Sequence, residues 1–319
     1  MIGIVGAGAF GASLAVALGL NGRKSILLAR DCEAADRAVT HREVPRLPGI
    51  QLPPTVSVTA DIGKLDTCAT VLLAVPMQAL RPTLERFATH LDGKHLVACC
   101  KGVDLETLQG PTALLRTFCS ASPAMVLTGP SFATDIAKGL STALTLAGTD
   151  EPAVKSVQAE ISTPSLRIYR NRDPLGCELG GALKNVIAIA AGASIGSGNG
   201  ESARAAVMTR GFAELQRFAL AMGAAPETLM GLSGFGDLVL TCTSEQSRNY
   251  RFGLALGRGE AFDPRITVEG VSTARAVARI AASRGLEMPI TTMLIKLFDS
   301  EISIQDAIGG LLARPLKEE

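Results

Sequence analysis

The sequence predicts an α/β protein in two parts: a doubly wound, mostly parallel sheet over residues 1–170, followed by an all-α domain over residues 171–319. Three observations carry this. Short apolar runs alternate with helix-compatible segments as far as Tyr169, a glycine-rich turn follows the first run directly, and almost everything beyond Tyr169 reads helical. Strand alternating with helix implies a largely parallel sheet covered by helices on both faces.

The first element is Met1-Ile-Gly-Ile-Val5, a strand, followed by Gly6-Ala-Gly8-Ala-Phe-Gly11 and then Ala12–Leu18, which has helical composition. Strand, glycine turn and helix in that order form the opening unit of a Rossmann-type dinucleotide site. Gly6 makes the tight turn, Gly8 lets backbone approach a pyrophosphate, and Gly11 packs helix on strand. The helix start then offers free N–H groups to the phosphates.

The second strand, Ser25–Leu28, ends beside Arg30 and Asp31. An acidic residue there suits the ribose hydroxyl of NAD, and an arginine suits the 2′-phosphate of NADP. Arg30 lies nearer the strand end, so NADP leads and NAD is the alternative. Residues 41–54, with four prolines and a glycine, form a loop able to cover a site. Further strands are expected at Thr70–Val75, Leu96–Cys100, Ala124–Leu127, Ser141–Ala147 and Leu166–Tyr169. Ligands of such sheets bind beyond the carboxyl ends of strands. The residues there include Gly6, Arg30, Lys101-Gly102 and Thr128-Gly129-Pro130-Ser131, and Lys101 brings an ammonium to that edge.

The composition bounds the function. Of 319 residues, 47% are apolar and 19% charged, which describes a globular chain with a large core. A net charge of +1, spread rather than clustered, gives no footprint for nucleic acid or an anionic membrane. No apolar run reaches the length of a spanning helix and no basic leader precedes the first strand, so a cytoplasmic location is expected. Seven scattered cysteines without a C-x-x-C pair, with only three histidines, point to reduced and mostly buried thiols rather than a metal site.

The hinge between the two parts is Glu178-Leu-Gly-Gly-Ala-Leu-Lys-Asn-Val-Ile-Ala-Ile-Ala-Ala-Gly192. Lys184 is the one charge in its interior, and its helical neighbours three and four residues away are Gly180, Gly181, Ile187 and Ala188. No carboxylate on that helix can pair with it, and the small residues invite another element to come close. An amine stripped of water has a lowered pKa, which suits acid–base work. Beyond it the pattern is of helical pieces broken by glycine, as in residues 192–200. Asp237, in the glycine-rich run Gly231–Cys242, is a single carboxylate needing a partner that Lys184 would supply. Ser247-Arg248-Asn249 could bind an oxyanion through the arginine fork. Val268-Glu-Gly270 opens an alanine-rich helix running to Arg284 and stopping at Gly285, and the tail Lys317-Glu-Glu319 is expected to fray.

Taken together, Gly6–Gly11, Leu47–Pro53, Lys101-Gly102, Thr128–Ala133, Leu179–Val186, Gly236–Thr243, Ser247–Asn249 and Val268–Gly270 resemble the bacterial NAD(P)-dependent glycerol-3-phosphate dehydrogenases over nearly the whole chain. The resemblance implies hydride transfer between NAD(P)H and dihydroxyacetone phosphate, giving sn-glycerol 3-phosphate for phospholipid synthesis. It implies Lys184 as proton donor and acceptor, oriented by Asp237. Lys101, Gly129, Ser131, Asn185, Thr241, Ser247, Arg248 and Asn249 would surround the substrate. Gly6, Gly8, Ala9, Phe10, Gly11, Arg30, Lys101, Ala133, Arg248 and Glu269 would lie near the cofactor. Ala29 stands before Arg30, where the family often has a bulkier residue. The expected partner is a small phosphorylated substrate, with no nucleic acid or membrane, and a homodimer is the assembly allowed. The alternative is a β-hydroxyacid dehydrogenase. Those enzymes resemble one another in an asparagine one helical turn after the lysine, whereas here Asn185 is adjacent and Ile187 and Ala188 occupy the next turn.

Overall fold

The computed structural model describes residues 1–312, so the tail Lys317-Glu-Glu319 lies outside the described residues. In chain order the elements are β1 (Ile2–Val5), α1 (Ala9–Leu20), β2 (Ser25–Leu28), α2 (Cys32–His41), β3 (Val56–Thr59), a 3₁₀ turn (Ile62–Thr67), β4 (Thr70–Leu73), α3 (Met77–Leu91), β5 (His95–Ala98), α4 (Pro111–Phe118), β6 (Ala124–Thr128), α5 (Ala133–Ala137), β7 (Thr142–Gly148), α6 (Glu151–Ile161) and β8 (Leu166–Asn171). There follow α7 (Pro174–Gly196), α8 (Glu201–Ala221), α9 (Pro226–Met230), a π-helical turn (Leu232–Gly236), α10 (Asp237–Cys242), α11 (Arg248–Arg258), α12 (Glu269–Arg284), α13 (Pro289–Phe298) and α14 (Ile304–Leu312). The chain divides into two compact units. One holds Met1–Lys101 and Gln109–Glu178, and the other holds Gly102–Leu108 and the described residues from Leu179 onward.

In the first unit eight strands form one sheet in the order β3-β2-β1-β4-β5-β6-β7-β8. Every pairing is parallel except β6 with β7, which is antiparallel. The first six positions follow the 3-2-1-4-5-6 order of dinucleotide-binding sheets, with the strand order reversing at β1. All four residues of β1, β2 and β4 are buried, as parallel strands covered on both faces must be. One core, with Ile4, Leu14, Leu18, Leu27 and Val97, lies on one face, and another, with Leu65, Leu73, Leu80 and Leu96, on the other. β3 was not anticipated from the sequence. Val56-Ser-Val-Thr59 is four residues with two hydroxyls, following directly on a proline-rich segment, and it qualifies as a strand only by pairing with β2.

The loop before β3 is pinned to that core. Val44, Leu47 and Leu52 are buried, and the Arg42 guanidinium donates to the carbonyls of Leu52, Pro53 and Val56. All seven cysteines are free thiols, and all but Cys32 are buried.

In the second unit two expectations are corrected. α7 is not broken at Gly192; it runs for 23 residues, from Pro174 to Gly196. Gly192 stays helical because its bare face meets the backbone of α11. A Cβ there would overlap the Tyr250 carbonyl oxygen, and a Cβ on Gly253 would overlap that of Ile189. The helix is also long and apolar enough to span a membrane by length and composition, with a mean hydropathy of 1.4 over its most apolar window. Its burial gives the physical reason to read it as a core helix, since 89% of that window is covered by the protein itself. α12 starts at Glu269 and ends at Arg284 with Gly285 in the left-handed region, as its capping signals predict.

Candidate functional site

At the carboxyl end of β1, Gly6 has φ +109°, and a Cβ on it would lie 2.7 Å from the Ala74 carbonyl oxygen that follows β4. A Cβ on Gly11 would overlap the Gly6 carbonyl. Side chains are therefore excluded at both ends of the turn. Gly8 differs: a Cβ there meets nothing within 4 Å, so the space beside it is open. Gly8 caps α1 without a side-chain hydrogen bond, and the first turn carries no acidic residue. An open cradle in front of the N–H groups of Ala9, Phe10 and Gly11 fits a pyrophosphate.

On the same sheet edge Lys101 Nζ donates to the Gly129 carbonyl oxygen at 3.3 Å, and Ser131 Oγ donates to the same oxygen at 3.3 Å. Gly129 has φ +140°, and Leu144 lies against it. Lys101, Gly129 and Ser131 are thus brought together, as their strand-end positions suggest. Ala133 begins α5 just beyond.

Arg30 and Asp31 follow β2. Asp31 Oδ1 accepts the Ala34 N–H at 2.8 Å and caps α2, while Oδ2 accepts from Arg30 Nε at 3.0 Å. The Ala34 hydrogen bond, then that from Arg30, lowers the Asp31 pKa. The Arg30 side chain is 89% exposed, projecting from the sheet end. Asp31 already has a structural task that Arg30 lacks.

In the second unit the residues around Lys184 converge. Lys184 and Asp237 have side chains 6% and 0% exposed, and Lys184 Nζ donates to Asp237 Oδ1 at 2.5 Å and to Thr241 Oγ1 at 2.6 Å. The partner required for a buried carboxylate is present, and it comes from the helix expected to supply it. Asp237 and Thr241 stand one turn apart on α10, so both face the ammonium. The Cys242 thiol beside them is pushed up to about 12 by burial, partly offset by the Lys184 charge and then by Arg204, so it stays protonated.

The remaining members come from the starts of α11 and α12. Ser247 Oγ caps α11 by accepting the Tyr250 N–H at 3.2 Å. Arg248, the first residue of that helix, is exposed, whereas Asn249 is buried and its Oδ1 accepts the Gly270 N–H at 2.9 Å. A Cβ on Gly270 would lie 2.7 Å from the Asn185 carbonyl oxygen, so the start of α12, with Glu269, is held against α7 beside Lys184. Arg204 is a further cation near this cluster. It pairs with Glu201, and its Nη1 donates to the Tyr250 hydroxyl at 3.5 Å. A lone arginine among alanines on a long helix carries no sequence signal for such a place.

Models of the N-terminal and C-terminal parts of NAD-dependent glycerol-3-phosphate dehydrogenase match residues 1–154 and 173–309. The chain belongs to the NAD-dependent glycerol-3-phosphate dehydrogenase family. Among family members, a Cereibacter sphaeroides protein named glycerol-3-phosphate dehydrogenase, of the NAD(P)+ type, is 58% identical over 100% of both chains. One of the same name from Ruegeria sp. is 56% identical over 100% of this chain and 99% of its own. The crystal structure of glycerol-3-phosphate dehydrogenase from Coxiella burnetii superposes with a TM-score of 0.93 at 34% identity, covering 98% of each chain. These glycerol-3-phosphate dehydrogenase relatives support the main reading of the sequence and not the β-hydroxyacid alternative.

Proposed function

We propose that this chain interconverts dihydroxyacetone phosphate and sn-glycerol 3-phosphate, supplying glycerol 3-phosphate for phospholipid synthesis. The observation that carries the proposal is a buried lysine held by Asp237 and Thr241, in a chain of this family. NADPH or NADH, when bound, would supply the hydride for the ketone carbon. Lys184 donates a hydrogen bond and then a proton to the carbonyl oxygen as negative charge develops there, and takes the proton back in the reverse direction. Asp237 fixes the ammonium in place, and Thr241 defines its direction. Low exposure strengthens these interactions by excluding water.

Arg248 and Asn249 hold the substrate phosphate, with Arg248 contributing the two-pronged fork. Asn249 Oδ1 is engaged by Gly270, which leaves its amide nitrogen as the group for the substrate. Ser247, Asn185, Lys101, Gly129 and Ser131 complete the surroundings of the substrate. Gly6, Gly8, Ala9, Phe10, Gly11, Arg30, Lys101, Ala133, Arg248 and Glu269 would hold the cofactor, with the exposed Arg30 the residue that would take the 2′-phosphate of NADP. Two domains with a boundary near Asn171, a cytoplasmic location without membrane binding, and a homodimer complete the reading.

The experiment is an assay of dihydroxyacetone phosphate against a panel of small 3-oxo acids, the keto forms of 3-hydroxy acids, with NADPH and NADH. Turnover confined to dihydroxyacetone phosphate supports the assignment, and preference for a 3-oxo acid refutes it.

A further inference from the structure

The segment before Asp237 seats directly on α7, the helix that carries Lys184. Gly180 lies four residues before Lys184, on the same face of that helix. A Cβ on Gly180 would lie 2.7 Å from the Ser233 carbonyl oxygen and 3.0 Å from Gly234 Cα. Ser233 in turn lies four residues before Asp237. The contacts are therefore in step: Gly180 receives Ser233-Gly234, and one turn on, Lys184 receives Asp237.

The segment received is a π-helical turn, Leu232–Gly236, whose end is the start of α10. Such turns are rare and favour functional sites. This one is braced by further contacts. A Cβ on Gly234 would overlap the Leu229 carbonyl oxygen, Ser233 is buried, and the Phe235 ring meets Phe212 of α8 edge to face at 5.3 Å between centroids. The atoms facing Gly180 are backbone, so they cannot rotate aside for a methyl group. Displacing them moves Asp237, and a donor–acceptor contact weakens steeply with even a small loss of distance or alignment.

We infer that Gly180 is a positioning residue for the Lys184–Asp237 pair, its missing side chain setting how closely the π-helical turn seats on α7. The inference rests on the assignment of Lys184 as the acid–base group. Helix propensity alone favours alanine over glycine inside a helix, so the two considerations predict opposite outcomes for Gly180→Ala.

The test compares wild type, Gly180→Ala and Gly196→Ala with dihydroxyacetone phosphate and NADPH across pH. Gly196→Ala adds the same methyl to the same helix, against the Leu254 carbonyl oxygen, three turns from the pair. Gly180→Ala should lower kcat by roughly tenfold or more, a fraction of what an acid–base group contributes. It should also move the pH limb that reports the pair, with little change in KM for NADPH. Gly196→Ala should lower Tm and leave the pH limb in place. An unchanged kcat and pH profile in Gly180→Ala, or an equal shift in Gly196→Ala, overturns the inference. Should Gly180→Ala fail to fold, Phe212→Ala decides, because it loosens the same turn from α8. It should lower kcat and move the limb, and an unmoved limb overturns the inference. Absence of turnover in wild type defeats the proposed function itself, and the inference with it. Turnover in wild type with an unaffected Gly180→Ala defeats the inference alone.

Discussion

Glu178 Oε1 accepts the backbone N–H of Thr112 at 2.6 Å, so a carboxyl from the first turns of α7 caps the start of α4. The contact is fully buried, and a Cβ on the neighbouring Gly110 would overlap Glu178 Oε2. Burial pushes the Glu178 pKa from 4.5 up to about 7, against the opposing pull of the Thr112 hydrogen bonds.

A raised carboxyl pKa means that the folded chain binds the proton more tightly than the unfolded chain. The stabilisation is fully present below pH 4.5 and is lost as pH rises through about 7. Across that window it amounts to about 3 kcal/mol. Urea titrations at pH 5 and pH 8 should show wild type losing more stability than Glu178→Gln, which stays neutral at both. Equal losses would contradict the buried, proton-retaining state of Glu178.

Arg30 and Asp31 divide their tasks, with Asp31 capping α2 and Arg30 reaching into solvent. Arg30→Asp should therefore shift the kcat/KM ratio from NADPH toward NADH, since a carboxylate would face the 2′-phosphate. Steady-state rates with both cofactors check this, and an unchanged ratio would leave Arg30 as surface charge.

Much of this arrangement was legible in the sequence, for identifiable reasons. β1 and β2 announce themselves as continuous apolar runs, and the glycine turn announces the helix behind β1. Buried charge was equally informative: Lys184 has no carboxylate within reach along its own helix and Asp237 no cation close to it in sequence, and each supplies the other's opposite charge. β3 was illegible because its strand character comes from β2 rather than from its own residues. The continuity of α7 through Gly192 was hidden for a related reason, since the fit of glycine against the α11 backbone is tertiary. Arg204 gave no signal, because its neighbours on α8 are ordinary surface residues and only folding brings it to Tyr250.

Arg248 begins α11 as an exposed cation beside the buried Asn249. A hydrogen bond to a charged group contributes about 1.5–3 kcal/mol. Arg248→Ala should lower kcat/KM for dihydroxyacetone phosphate roughly ten- to a hundredfold, with part of the loss in kcat. Unphosphorylated dihydroxyacetone should be affected much less. Equal proportional losses on the two ketones would move Arg248 from the substrate phosphate to the cofactor.

The central claim is that Lys184, held by Asp237 and Thr241, is the group that exchanges a proton with the substrate oxygen. Lys184→Gln is one methylene shorter but keeps a hydrogen-bond donor and removes the titratable ammonium. Single-turnover reduction of dihydroxyacetone phosphate by NADPH, measured alongside NADPH affinity by fluorescence, separates chemistry from binding. The rate should fall by roughly a hundred- to ten-thousand-fold, the usual contribution of general acid–base catalysis, while NADPH affinity stays near wild type. A rate close to wild type in Lys184→Gln would contradict the account and leave Lys184 as a structural partner of Asp237.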